Sequence, residues 1–272
     1  MTHAFDDLPV VMTLSGLDPT GGAGLQADIE SLVSMGCHPA PVATAIVVQD
    51  THDVARVDPL PEDLILEQAR VVIEDMQVAA VKFGLLASPE AVEAAHTILT
   101  QLGDIPVVLD PVLNSGSGTP LVEEEVVDSM ISLLFPHTTV VTPNTREAHK
   151  LAREADSLNA AAQELLSYGC DFVLLTGTHD NTPEVINTLY TDMRRVESFY
   201  WERLPDEFHG SGCTLASAIA GLLAQGSEVH SAVREAQAFT WTSLRHSRAL
   251  GRGERIPDRL HWARDQDQEE DA

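Results

Sequence analysis

His209-Gly210-Ser211-Gly212-Cys213-Thr214 is the stretch on which the reading of the fold turns. Two glycines, a hydroxyl and a thiol lead into a run whose apolar residues, Leu215, Ala218, Ile219 and Leu222, recur at helical spacing. Glycine lets the backbone bend tightly and approach a ligand closely. The first turn of a helix leaves N–H groups unpaired at the positive end of its dipole. Together these predict an anion site suited to a phosphate, built from Gly210, Ser211 and Gly212. Cys213 sits where a helix start favours thiolate, so a lowered pKa and a role as base toward a substrate hydroxyl are expected. The same residues also fit a tight turn ahead of a buried, inert cysteine. His209 either touches the phosphate or fills the turn.

Outward from this stretch, apolar runs alternate with amphipathic segments. Residues 9–15, 41–48, 79–86, 107–112, 138–142 and 172–175 read as strands. Residues 23–35, 61–76, 89–102, 121–135, 145–153 and 158–168 read as helices. An antiparallel pair is expected at 185–190 and 196–201, then long helices at 211–223 and 229–246. The strands are continuous apolar runs, as in sheets covered on both faces. The fold class is therefore α/β, a central, mostly parallel sheet flanked by helices on both faces. We expect a flexible segment at 1–8, one domain at 9–262 and an acidic, disordered tail at 263–272.

The net charge of -26 argues against nucleic acid or an anionic membrane as partner. No apolar run is long enough to span a bilayer, and the first residues lack the pattern of a secretory leader. Cys37, Cys170 and Cys213 match no zinc spacing and suit reduced thiols, so a cytoplasmic location is expected.

In such sheets, ligands bind beyond the carboxyl ends of the strands. Asn144 and Glu147, three apart where a strand gives way to a helix, suit Mg²⁺ or its waters; they equally form a capping box. Asp110, at a strand end before Pro111, either serves Mg²⁺ or starts a turn. Asp18 precedes the loop Gly21-Gly22-Ala23-Gly24, which lacks a P-loop ending. Asp28, four residues on, either points to the same mouth or is a solvated helical acid. Gln49 suits the edge of a heterocycle, or is an ordinary polar strand end.

Taken together, these loops resemble the hydroxymethylpyrimidine/phosphomethylpyrimidine kinases of thiamine biosynthesis, within the ribokinase-like superfamily. The resemblance runs from Ser15-Gly16-Leu17-Asp18-Pro19-Thr20-Gly21-Gly22-Ala23-Gly24 to Asp28, through Gln49-Asp50-Thr51, Lys82-Phe83-Gly84-Leu85-Leu86 and Leu109-Asp110-Pro111-Val112. It continues in Thr142-Pro143-Asn144 to Glu147-Ala148 and in His209 to Thr214, covering about residues 8–262. It implies ATP and Mg²⁺ as co-substrate and cofactor, a homodimer, and two phosphorylations of a hydroxymethylpyrimidine. By motif match, Asp28, Gln49 and Val112 would line the pyrimidine pocket with Gly16 and Leu85 beside it. Asn144 and Glu147 would serve Mg-ATP, with Asp110 toward the metal and His209 toward the nucleotide phosphates.

Two departures stand out. Thr176-Gly177-Thr178-His179 replaces a lysine-led motif, so Thr176 offers the nucleotide a hydrogen bond without charge; Leu85 replaces a methionine of similar volume. A pyridoxal-type vitamin kinase and a non-catalytic pyrimidine sensor are the alternatives.

Overall fold

The computed structural model describes residues 8–178, 180 and 182–264. The expected N-terminal segment through Asp7, His179 of the departing motif and the acidic tail from Asp265 lie outside the described residues. Ala263 and Arg264 close a helical turn, and Arg264 pairs with Asp258.

One nine-stranded sheet runs in the order β3-β2-β1-β4-β5-β6-β7-β8-β9. Its strands are β1 (Val10–Leu17), β2 (His38–Gln49), β3 (Val54–Pro59), β4 (Val78–Phe83), β5 (Val107–Leu109), β6 (Val140–Val141), β7 (Phe172–Leu175), β8 (Glu184–Thr191) and β9 (Arg194–Glu202). The six from β2 to β7 are parallel; β3, β8 and β9 are antiparallel at the two edges. The mostly parallel, doubly covered sheet is as the sequence predicts.

Period-two geometry explains why the strands read as unbroken apolar runs. Met12, Val81, Leu109, Val141 and Val173 join a core under α2 (Glu62–Asp75), α3 (Pro89–Leu102), α4 (Glu124–Leu133), α5 (Thr145–Leu151) and α6 (Leu158–Ser167). Their neighbours Val11, Ala80, Val108, Val140 and Leu174 join a second core under α1 (Gly24–Ser34), α7 (Ser211–Ala224) and α8 (Val229–Arg245). Every residue of α7 from Cys213 to Leu223 is buried, so this helix is the spine of the second core.

β3 is absent from the sequence-based assignment. Its residues are mostly exposed, because it is an edge strand with little to bury. Pro59 closes it where a missing N–H costs nothing. Helix α4 is shorter than predicted: residues 135–137 form a separate 3₁₀ turn.

Candidate active site

The site opens at the carboxyl ends of the parallel strands, as a cleft of about 820 Å³. At its centre is the start of α7. Gly210 has φ +83°, and a Cβ there would overlap the carbonyl oxygen of Gly22. No side chain caps the helix. Its hydrogen-bond ladder begins with Thr214 N–H donating to Gly210 O at 3.0 Å, so the N–H groups of Ser211, Gly212 and Cys213 precede it, in the first turn that faces the cleft.

This open turn is fastened from three directions. His209 Nε2 lies 2.8 Å from Asp18 Oδ2 and 3.3 Å from Gln49 Nε2; its Nδ1 is 3.5 Å from Glu254 Oε2. Burial opposes a charge on the ring, but the bonds to Asp18 and Glu254 outweigh it and lift His209 to about 9. Burial likewise works against the Asp18 carboxylate, yet bonds from His209, Gln49 and Thr20 hold it far below the usual range. Asp18 also accepts from the N–H groups of Thr20 and Ala23, each at 2.8 Å, and so shapes the Gly21–Gly24 loop. Fully buried Arg259 donates to Gly22 O at 2.5 Å and to Thr214 Oγ1 at 2.8 Å. His209 thus stands packed over Gly22, where a Cβ would strike its ring. Its backbone N–H donates to Arg255 O at 2.9 Å.

Two sequence-based expectations are corrected in the floor of the site. Burial pushes the Cys213 thiol up to about 12, against the opposing pull of Lys82. The helix-start rule sees the dipole and misses the enclosure of α7. Asp28 does not line the cleft. Its side chain is fully buried; Oδ1 accepts from Lys82 Nζ at 2.8 Å and from Ser217 Oγ at 2.7 Å. Burial would strip the charge from Lys82, but Asp28, Cys213 and Asp110 hold it cationic. Lys82 is thus a buried cation beneath the thiol, and the packing of α7 on β4 brings it there.

Asp110 follows β5 and faces the start of α7, where a Cβ on Gly212 would lie 3.7 Å from both carboxylate oxygens. Burial pushes it up to about 6, and its Oδ2 is buried without a partner. Burial, and then Asp110, push Glu147 up to about 8. Asn144 and Glu147 form the capping box of α5. Asn144 Oδ1 accepts from the N–H groups of Arg146 and Glu147 at 2.9 and 3.0 Å, and Glu147 Oε2 accepts from Asn144 N–H at 2.9 Å.

Gly16, Gln49, Leu85 and Val112 line one end of the cleft, and Gly16 leaves room where a Cβ would press on Leu85 and Val47 at 3.1 Å. Thr176, with Trp201 of β9 and Trp241 of α8, lines the other end; the two indoles lie 6.1 Å apart. Neither tryptophan, nor Glu254, nor Arg259, carries a local signal in the sequence, because separate elements bring them here. Asp18, inside a recognisable Asp-Pro-Thr turn, could have been found.

A doubly wound sheet with an open glycine-led helix start at its carboxyl edge is the arrangement of the ribokinase-like small-molecule kinases. The pyridoxal kinase of Staphylococcus aureus, solved with ADP, superposes with a TM-score of 0.86 at 26% identity, covering 94% of this chain and 95% of that one. A phosphomethylpyrimidine kinase from Clostridium difficile superposes with a TM-score of 0.73 at 31% identity, covering 86% and 97%. The phosphomethylpyrimidine kinase family model matches residues 18–258. The hydroxymethylpyrimidine/phosphomethylpyrimidine kinase of Mycobacterium tuberculosis is 37% identical over 251 residues, 90% of this chain and 91% of that protein. That of Streptomyces coelicolor is 36% identical, covering 90% and 92%. The chain belongs to the phosphomethylpyrimidine kinase family, and is a kinase of the thiamine pathway.

Proposed function

We propose that the chain transfers phosphate from ATP first to the hydroxyl of 4-amino-5-hydroxymethyl-2-methylpyrimidine and then to the resulting monophosphate, yielding the diphosphate. The observation that carries this reading is the uncapped start of α7, lying between a pocket lined by Gln49 and an aromatic end lined by Trp201 and Trp241. Phosphoryl transfer needs mainly alignment and neutralisation of charge. The N–H groups of Ser211, Gly212 and Cys213 offer both to a transferring phosphoryl group. Gln49, Leu85, Val112 and Gly16 wall the pyrimidine. Thr176 donates to the nucleotide, while His209 holds the anion turn in register.

Burial raises both Asp110 and Glu147, Asp110 adds to the rise at Glu147, and Asp110 Oδ2 lacks a partner, so the pair suits a divalent cation. Among the described residues no group of three or more metal-binding side chains gathers, which fits Mg²⁺ held chiefly by water and phosphate oxygens. When bound, Mg²⁺ would neutralise charge on the transferred phosphate. Cys213 orients the acceptor hydroxyl and takes its proton as the thiolate, having released its own proton to solvent; burial opposes that form and the Lys82 cation favours it.

Mass spectrometry of products from the purified chain, Mg-ATP and either pyrimidine tests the reading; absence of both phosphorylated products refutes it. The higher TM-score of the pyridoxal kinase supports a vitamin kinase of that type as the second reading, against the greater sequence likeness to pyrimidine kinases. The same assay with pyridoxal decides between them. A homodimer is supported by the exposed apolar side chains Leu17, Ile46 and Val48 on adjacent strands. Sedimentation as a 29.4 kDa species alone would refute it. A cytoplasmic site of action is supported by the three free thiols and by the lack, among the described residues, of a helix long and apolar enough to cross a membrane.

A further inference from the structure

The cleft is lined by more acids than bases. Asp110, Glu147, Glu202, Asp206 and Glu207 all face it, against three cationic side chains, Arg146, Arg203 and His209. A phosphate entering such a space is repelled unless a cation meets it. Two of the three are already committed. His209 is fixed between Asp18 and Glu254. Arg203 donates to the carbonyl oxygens of Thr178, Asp180 and Thr182, at 2.8 to 2.9 Å, and so holds the loop before β8. Lys82 lies behind the wall, fully buried on Asp28. Lys150 is bonded to Asn114.

Arg146 is different. Its backbone N–H joins the capping box of α5, but among the described residues its guanidinium has no hydrogen bond or ion pair. The side chain is exposed and lines the cleft, with Nη1 beside Gly118 of the loop that follows β5. We infer that Arg146 is a phosphate-binding residue, the one uncommitted guanidinium among the described residues of the cleft. The inference rests on the kinase reading above. A guanidinium suits the task, since its planar fork engages phosphate oxygens in pairs. The phosphate is either the nucleotide's or that of the monophosphate acceptor, and the test separates them.

Trp201 and Trp241 provide a readout that needs no turnover. Quenching of their fluorescence by ADP is titrated in the wild type, Arg146→Gln and Arg146→Lys, and KM is measured with hydroxymethylpyrimidine and with its monophosphate. If Arg146 holds the nucleotide, Arg146→Gln weakens ADP binding about 10-fold and raises the KM for ATP with both acceptors. If it holds the acceptor phosphate, only the KM for the monophosphate rises by that factor. Either result, with partial rescue by Arg146→Lys and an unchanged melting temperature, supports the inference. Arg146→Gln matching the wild type in both measurements overturns it. A wild type that binds ADP yet phosphorylates neither pyrimidine defeats the kinase reading instead, and the ADP titration then decides Arg146 alone.

Discussion

Helices α5 and α7 both begin at the mouth of the same cleft, and they treat their first turns in opposite ways. α5 is closed by its own side chains: Asn144 and Glu147 satisfy each other's backbone N–H groups. α7 has a left-handed glycine at its cap and no side chain to cover its N–H groups. The closed start is self-sufficient, a short helix whose cap contributes to stability. The open start is sustained from outside, by Asp18, Glu254 and Arg259, and keeps its donors for a guest. Where a protein fastens a helix end without capping it, the unspent donors mark the functional end.

Three substitutions break or sharpen this contrast. The largest effect is expected from Gly210→Ala, which places a Cβ against Gly22 and forces the open turn to shift. Turnover should fall by about 10³-fold, the scale seen when preorganised donors to a developing charge are lost. A product assay near wild-type rate would show that α7 needs no special start. Next, Cys213→Ala should lower turnover about 10²-fold with the fold retained, as for loss of an acid–base group. Unchanged turnover would make the thiol a packing residue of the second core. The smallest effect belongs to the closed start. Asn144→Ala should cost about 1 kcal/mol, measured by thermal unfolding, and raise the KM for ATP more than that for the pyrimidine. No change in melting temperature would remove the cap from the stability of α5.

Much of the architecture was legible because both faces of the sheet are covered. Residues 172–175, for example, had to be apolar on either side, and they form β7 within those bounds. β3 was illegible for the converse reason: a strand with nothing to bury leaves no pattern. In the site, Gly210–Gly212, Asp110 and Asn144–Glu147 were found from local rules of helix starts and strand ends, and the structure gathers them round one cleft. The errors came from partners distant in the chain. Asp28 reads as a free acid until Lys82, 54 positions away, is set beside it. Cys213 reads as an activated thiol until the enclosure of α7 is counted.

The fastening of the anion turn also sets which parts of the chain a working site requires. Glu254 and Arg259, which pin His209 and Gly22, lie about forty to fifty positions beyond Gly210–Cys213 in the sequence. A chain cut ahead of them would lose both fastenings, and its anion turn is expected to loosen. By the same logic, a stop codon or fusion junction placed ahead of Gly251 silences an otherwise intact sheet.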